Sequence, residues 1–179
     1  MLKQLRTWPR SRTSRGRQMN EMEIQNLFYP RNSSRFSMIV PNCYPVKWFE
    51  CDLLCITHAG FMCEYEIKLT LADFLADAKK GYGPVGPSKH ELLAKGDVKG
   101  PSKFWFIVPD TLKVDVPDFA GLLRLNTLPD KGSFGWFTAV KKAPRLHKTK
   151  MSESTKDILQ KNLCFRYWRQ RLNQKLPLL

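Results

Sequence analysis

The sequence has no run of apolar residues near the roughly 18 that a membrane-spanning helix requires, so no span is predicted. No signal peptide is predicted either, because the basic N-terminus is not followed by an apolar stretch. A soluble, cytoplasmic protein is the resulting expectation. Paired cysteines are also missing. Cys43, Cys51, Cys55, Cys63 and Cys164 are odd in number and contain no C-x-x-C pair. That argues against a disulfide scaffold in a chain of this length. Cys51, His58 and Cys63 lack the tight pairing of structural zinc ligands, and the thiols are expected to act as small buried hydrophobes. Acidic residues are absent from the first twenty positions, where six Lys/Arg stand alone.

What is present is a strong but uneven positive charge. The 179 residues carry a net charge of +14. Residues 141–179 hold eleven basic and two acidic side chains, whereas 21–140 hold thirteen and fourteen. A nearly neutral body therefore has two basic ends, a distribution that favours a polyanion, with nucleic acid the commonest. With 42% hydrophobic and 12% aromatic residues, the body can bury a core, and the length suits one domain.

Residues 1–19 are Arg/Ser/Thr-rich without apolar periodicity and are predicted to be a disordered basic extension. The core is expected over 20–150 and a basic C-terminal helix over 151–179. Asn20 is a predicted cap for a helix ending before Pro30, with Glu21 and Glu23 in its first turn. Strands are predicted over 36–40, 48–56 and 61–69. Thr70 then opens a helix with Leu71, Phe74, Leu75 and Ala78 at helical spacing. Three Gly and two Pro force a loop over 81–88, and a short helix follows from His90. The continuous apolar run 103–109 reads as a strand covered on both faces. Weaker strands at 122–125 and 136–140 precede a long helix over about 154–174. This order gives an α/β fold, a mixed central sheet flanked by helices.

The informative segment is 51–68. A three-residue loop, His58-Ala59-Gly60, would place Gly60 at the left-handed position such hairpins need. Thr57 then faces Phe61, Asp52 faces Glu66, Leu54 faces Glu64, and Glu50 faces Lys68. Cys51/Ile67, Leu53/Tyr65 and Cys55/Cys63 form an apolar opposite face, and a one-residue slip would destroy that separation. Opposed carboxylates repel unless something compensates. A divalent cation such as Mg²⁺ does so through oxygen ligands. Lys68, on the same face as Glu66, could orient a water or stabilise developing charge.

Asp52 and Glu66-Ile67-Lys68 resemble the D…(D/E)-x-K signature of the PD-(D/E)XK nuclease superfamily, whose core is restriction-endonuclease-like. Cys51-Asp-Leu-Leu54 with Tyr65-Glu-Ile-Lys-Leu-Thr-Leu-Ala-Asp-Phe-Leu-Ala-Asp77 resembles, more narrowly, the MmcB-like DNA repair nuclease family. So do Phe104-Trp-Phe-Ile-Val-Pro109, and, in its phage-borne members, Asp118-Phe-Ala-Gly-Leu122 and Lys142-Ala-Pro-Arg-Leu-His-Lys148. The resemblance covers about 36–148. It implies that Asp52 and Glu66 ligate Mg²⁺ (or Mn²⁺), that Lys68 assists the attacking water, and that an acid on the first helix adds to the site. Glu23 is the best match for that acid, with Glu21 behind it. Glu64 shares the acidic face, and Asp73 is expected to cap or solvate its helix rather than bind metal.

Lys89, Lys142, Arg145, Lys148, Arg166 and Arg169 are the candidate nucleic-acid contacts. On the last helix, arginines interleave with Phe165, Tyr167 and Trp168. Either phosphate contact with base stacking or inward-packed aromatics with solvated arginines accounts for that pattern. The leading expectation is a Mg²⁺-dependent DNA endonuclease, phage or prophage encoded, acting in repair or recombination. A non-catalytic nucleic-acid-binding protein of the same fold and a protein-binding regulatory factor are the alternatives. Monomer and homodimer are both open.

Overall fold

The structure is a computed structural model that describes residues 19–79, 81, 86–126 and 135–173. Residues 1–18 of the expected disordered extension and residues 82–85 of the predicted 81–88 loop fall outside the described residues. The elements are α1 (Glu21–Asn32), β1 (Phe36–Cys43), β2 (Cys51–Thr57), β3 (Met62–Ile67), α2 (Leu71–Asp77), α3 (Lys89–Lys95), β4 (Lys103–Pro109), β5 (Ala120–Asn126), β6 (Trp136–Lys141) and α4 (Glu153–Asn173). Six strands form one sheet in chain order. β1–β2, β2–β3 and β5–β6 are antiparallel, while β3–β4 and β4–β5 are parallel. The fold is α/β, with helices on both faces of a mixed sheet.

Two apolar layers sandwich the sheet. Ile24 and Phe28 of α1 pack with Leu53, Cys55, Cys63, Tyr65 and Ile67 on one face. On the other, Leu93 of α3 and Leu159 of α4 pack with Leu54, Ile56, Phe104 and Phe106. The parallel pairing buries β3 and β4 on both sides, as the apolar run of β4 requires. No helix among the described residues is long and apolar enough to cross a membrane.

Several boundaries differ from the sequence expectation. α1 continues through Pro30 to Asn32. Side chains support its last turn: Arg31 Nη1 donates to Leu27 O at 3.1 Å and Asn32 Nδ2 to Phe28 O at 2.9 Å. Among the end carbonyls that lack a partner within the helix, Tyr29 O accepts from Ser33 N at 2.9 Å. β1 runs beyond Pro41-Asn42 to Cys43, and β2 begins at Cys51 rather than Trp48. On α2, Leu71 and Leu75 are exposed, and the buried residue is the acid Asp77. Its burial follows from the two cationic or hydrogen-bonding partners described below.

Candidate functional site

The hairpin β2–β3 has the register that the sequence predicts. Leu53 pairs with Tyr65, Leu54 with Glu64, Cys55 with Cys63 and Ile56 with Met62. At the turn, Thr57 N donates to Phe61 O at 2.9 Å, and Gly60 takes the left-handed conformation, φ 87°. The described backbone pairing ends at Leu53–Tyr65, one residue short of Asp52 and Glu66. There the Asp52 side chain takes over: its Oδ2 accepts the Ile67 N–H at 2.7 Å. The Asp52 carbonyl turns away and accepts from Gln25 Nε2 at 3.0 Å.

A local backbone device produces this turn-out. Pro41 pairs with Leu53 and Cys43 with Cys51, so Asn42 stands opposite Asp52. Asn42 has φ 46°, a left-handed conformation that asparagine tolerates better than most residues. Strand alternation breaks across it. Cys51 therefore joins the layer containing Leu54 rather than the face with Ile67, where strict alternation would put it. Such strained positions are concentrated at functional sites.

The acidic face is not an open one. Glu64 and Glu66 are both 0% exposed. The Trp48 indole N–H donates to Glu64 Oε2 at 2.7 Å, and Lys89 Nζ contacts Glu64 Oε1. Lys89 Nζ also meets Glu66 Oε1 at 2.6 Å and the Glu50 carbonyl at 3.3 Å. Lys68 Nζ lies 2.8 Å from Glu66 Oε2 and 2.9 Å from Asp77 Oδ1, while His90 Nε2 is 2.9 Å from Asp77 Oδ2. A continuous chain results, buried from Trp48 through Glu64, Lys89, Glu66 and Lys68 to Asp77, and ending at the half-buried His90. Buried charges persist when they are paired and hydrogen-bonded in this way.

Lys89 is thus corrected from a nucleic-acid contact to a fully buried ion-pair partner. Burial opposes its charge, but Glu64 and Glu66 outweigh that and hold its ammonium above the usual range. Lys68 behaves alike: burial opposes the charge, and Glu66 and Asp77 restore it and more. Both lysines remain protonated at neutral pH. Burial lifts the Glu64 carboxyl, while Lys89 and Trp48 pull it back.

The two candidate first-helix acids are placed differently. Glu23 closes a capping box on Asn20, its carboxylate accepting the Asn20 N–H at 2.9 Å. Glu21 is the α1 carboxylate aimed at the cluster. Gln25 Nε2 bonds Glu21 Oε1 at 2.8 Å as well as the Asp52 carbonyl. Burial raises the Glu21 carboxyl, and the charge of Glu66 raises it further. Asp52 is pushed up to about 7, first by burial and then by Glu66, against the lowering effect of the Ile67 N–H. Helix spacing alone leaves Glu21 and Glu23 indistinguishable. The capping-box pattern Asn20-x-x-Glu23 was the available signal, since it commits Glu23 elsewhere.

Glu21, Asp52 and Glu66 therefore share one end of β2 and β3 with Lys68. Among the described residues no group of three or more His, Cys, Asp or Glu stands in ready metal-ligand geometry. Both Glu66 oxygens hold lysine ammonium groups, yet each carboxylate oxygen has a second lone pair. Asp52 has its second oxygen beyond the Ile67 bond. The donors are hard carboxylate oxygens in negative excess, the chemistry that suits Mg²⁺ or Mn²⁺.

The basic candidates separate into two groups. Lys142, Arg145 and Lys148 are exposed on the segment after β6. The Arg145 guanidinium lies 4.9 Å from the Phe61 ring centre, beside the hairpin turn and thus at the opposite end of β2 and β3 from Asp52. Arg166 and Arg169 lie at the acid end. Arg166 Nη1 donates to Pro41 O at 2.7 Å and Asn42 O at 3.2 Å. The Asn42 side-chain amide in turn meets that of Gln25 at 2.6 Å. Asp73 is exposed, and its N–H is received by the Thr70 hydroxyl at 3.1 Å, as expected for the start of α2.

No family model matches this chain, and no curated protein does. A solved structure, a protein of unknown function from Silicibacter pomeroyi, is similar with a TM-score of 0.56 at 16% identity. The match covers 90% of this chain and 95% of that one. At that identity the likeness is one of fold.

Proposed function

We propose that the protein is a metal-dependent DNA endonuclease of the PD-(D/E)XK type, similar to MmcB-like repair nucleases. The observation that carries this is the convergence of Glu21, Asp52 and Glu66 beside Lys68, where burial first and the charge of Glu66 second lift Asp52 to about 7. A restriction-endonuclease-like core and a cytoplasmic role in repair or recombination, in a phage or prophage setting, belong to the same reading.

In it Asp52 and Glu66 would hold Mg²⁺, with Glu21 completing the set. The cation would supply charge neutralisation at the scissile phosphate and acidify a water. The chain's own residues do the rest. The Ile67 N–H fixes the Asp52 carboxylate, and Gln25 fixes Glu21. Lys89 and Lys68 hold Glu66 from both sides. Lys68 stays charged, so it orients the attacking water and stabilises developing negative charge rather than removing a proton. Arg166 and Arg169 lie at this end of the sheet, with Arg166 bonded to Pro41 O and Asn42 O.

The test is divalent-metal-dependent cleavage of plasmid, single-stranded and branched DNA. Wild type cuts; Asp52→Ala, Glu66→Ala and Lys68→Ala lose at least about 100-fold in rate, the usual scale for removing an electrostatic or general-acid group. Retained folding is checked by circular dichroism. Three variants that cut like wild type would overturn the site. Salt-sensitive DNA binding without turnover in the wild type would favour a non-catalytic binding protein instead.

A further inference from the structure

The far half of α4 resolves an ambiguity that amphipathicity leaves open. α4 starts at the hairpin turn, where Met151 N donates to Gly60 O at 2.9 Å. It packs through Leu159 and reaches the acid end at Arg166. Beyond that point its aromatics do not pack inward. Phe165, Tyr167 and Trp168 are 59%, 55% and 56% exposed. A cleft of about 670 Å³ separates this half of α4 from β1, with Phe165, Trp168 and Arg169 on one wall and Tyr44 on the other. Tyr44 is itself 67% exposed.

Three large rings facing water have no account as core. Residues 161–173 contain Lys161, Arg166, Arg169 and Arg171 and no acid. A second copy docking through this helix would set those cations against one another. An anionic partner with its own flat apolar faces satisfies both properties. Single-stranded nucleic acid has such faces available, because its bases are not locked in a duplex stack.

We propose that the cleft between α4 and Tyr44 is a single-strand binding site, in which Trp168 and Phe165 stack on bases and Arg169 contacts phosphate. Arg166 is the anchor: its bonds to Pro41 O and Asn42 O fix the helix against the strand that faces Asp52. Bound strand would run from α4 toward the acid cluster. The binding does not depend on cleavage and stands or falls separately from the nuclease reading.

Fluorescence anisotropy with labelled oligothymidylate and with a blunt duplex, in EDTA with the full chain, tests this. Wild type is expected to prefer the single strand. Trp168→Ala should weaken single-strand binding about fivefold or more, the lower end of a lost base–ring stack, and change duplex binding less than twofold. Arg169→Gln should reduce the salt slope, whereas Trp168→Ala should not. These side chains are solvent-facing, so melting temperatures should hold. Equal loss for single strand and duplex, or no loss, would overturn the proposal. So would a dimer in sedimentation that Trp168→Ala dissociates without affecting oligothymidylate binding. A protein that binds single strands through Trp168 yet cuts nothing would defeat the nuclease reading and leave this one intact.

Discussion

Lys89 shows how far a residue's surroundings can reverse its apparent role. A lysine beside a Gly/Pro-rich loop in a basic protein suggests a phosphate contact. Here it is fully buried between Glu64 and Glu66. Removing it leaves two carboxylates without their counter-charge. Lys89→Met is expected to cost about 3–5 kcal/mol, the scale for breaking a buried ion pair, measured by urea denaturation. Adding Glu64→Gln to Lys89→Met should recover part of that loss, because one of the stranded charges is gone. Purely additive losses would show that the two groups are not coupled. The sequence pattern exposed Asp52, Glu66 and Lys68 because alternation and hairpin register are short-range properties. It could not expose Lys89 or Asp77, since their partners lie 23 and 9 positions away in the chain and meet only through tertiary packing.

Elements were legible to differing degrees for physical reasons. β4 and α4 follow from one continuous apolar run and one long helical period. The register of β2–β3 follows from Gly60 and the segregation of its two faces. The late start of β2 was hidden because Trp48 and Phe49 look like strand residues, whereas Trp48 serves as a loop-borne donor to Glu64. Its seat depends on a glycine: a Cβ at Gly100 would stand 2.5 Å from Trp48 Cη2, well inside contact distance. Gly100→Ala is therefore predicted to displace the indole and release Glu64. The expected cost is about 1–3 kcal/mol, as for other overpacked sites, with an altered near-ultraviolet circular dichroism spectrum. An unchanged spectrum and stability would show that the loop yields without moving Trp48. α2 departs from its helical spacing for a related reason: the ion pair of Asp77 with Lys68, rather than Leu71 and Leu75, decides which side faces inward.

At the scale of the whole molecule, the +14 charge conceals an acid-rich interior whose titration should govern stability. Asp52 has a folded pKa of about 7, above its ordinary value of 3.8. A raised carboxyl pKa means that the folded state binds the proton more tightly. Stability from this group is therefore greatest below about pH 4 and is lost as pH rises toward 7. Glu21 and Glu64 are raised too and push the same way. Lys68 and Lys89 stay protonated across that window and add no slope there. Asp52→Asn keeps an oxygen for the Ile67 N–H and removes the titration. It should melt about 2–4 °C above wild type at pH 8 for each 1 kcal/mol of burial cost and repulsion relieved, with little difference at pH 4. A wild type that gains stability between pH 4 and 7, with Asp52→Asn no more stable at pH 8, would contradict the charge-excess account.

The most direct measurement of the central claim is calorimetric titration of the full chain with Mn²⁺ at pH 8, where Asp52 is ionised. The account predicts saturable binding in the wild type that Asp52→Asn abolishes. Glu21→Gln should weaken it, and Glu23→Gln should leave it unchanged, because Glu23 is committed to the helix cap. No heat from the wild type, or equal binding by wild type and Asp52→Asn, would contradict it.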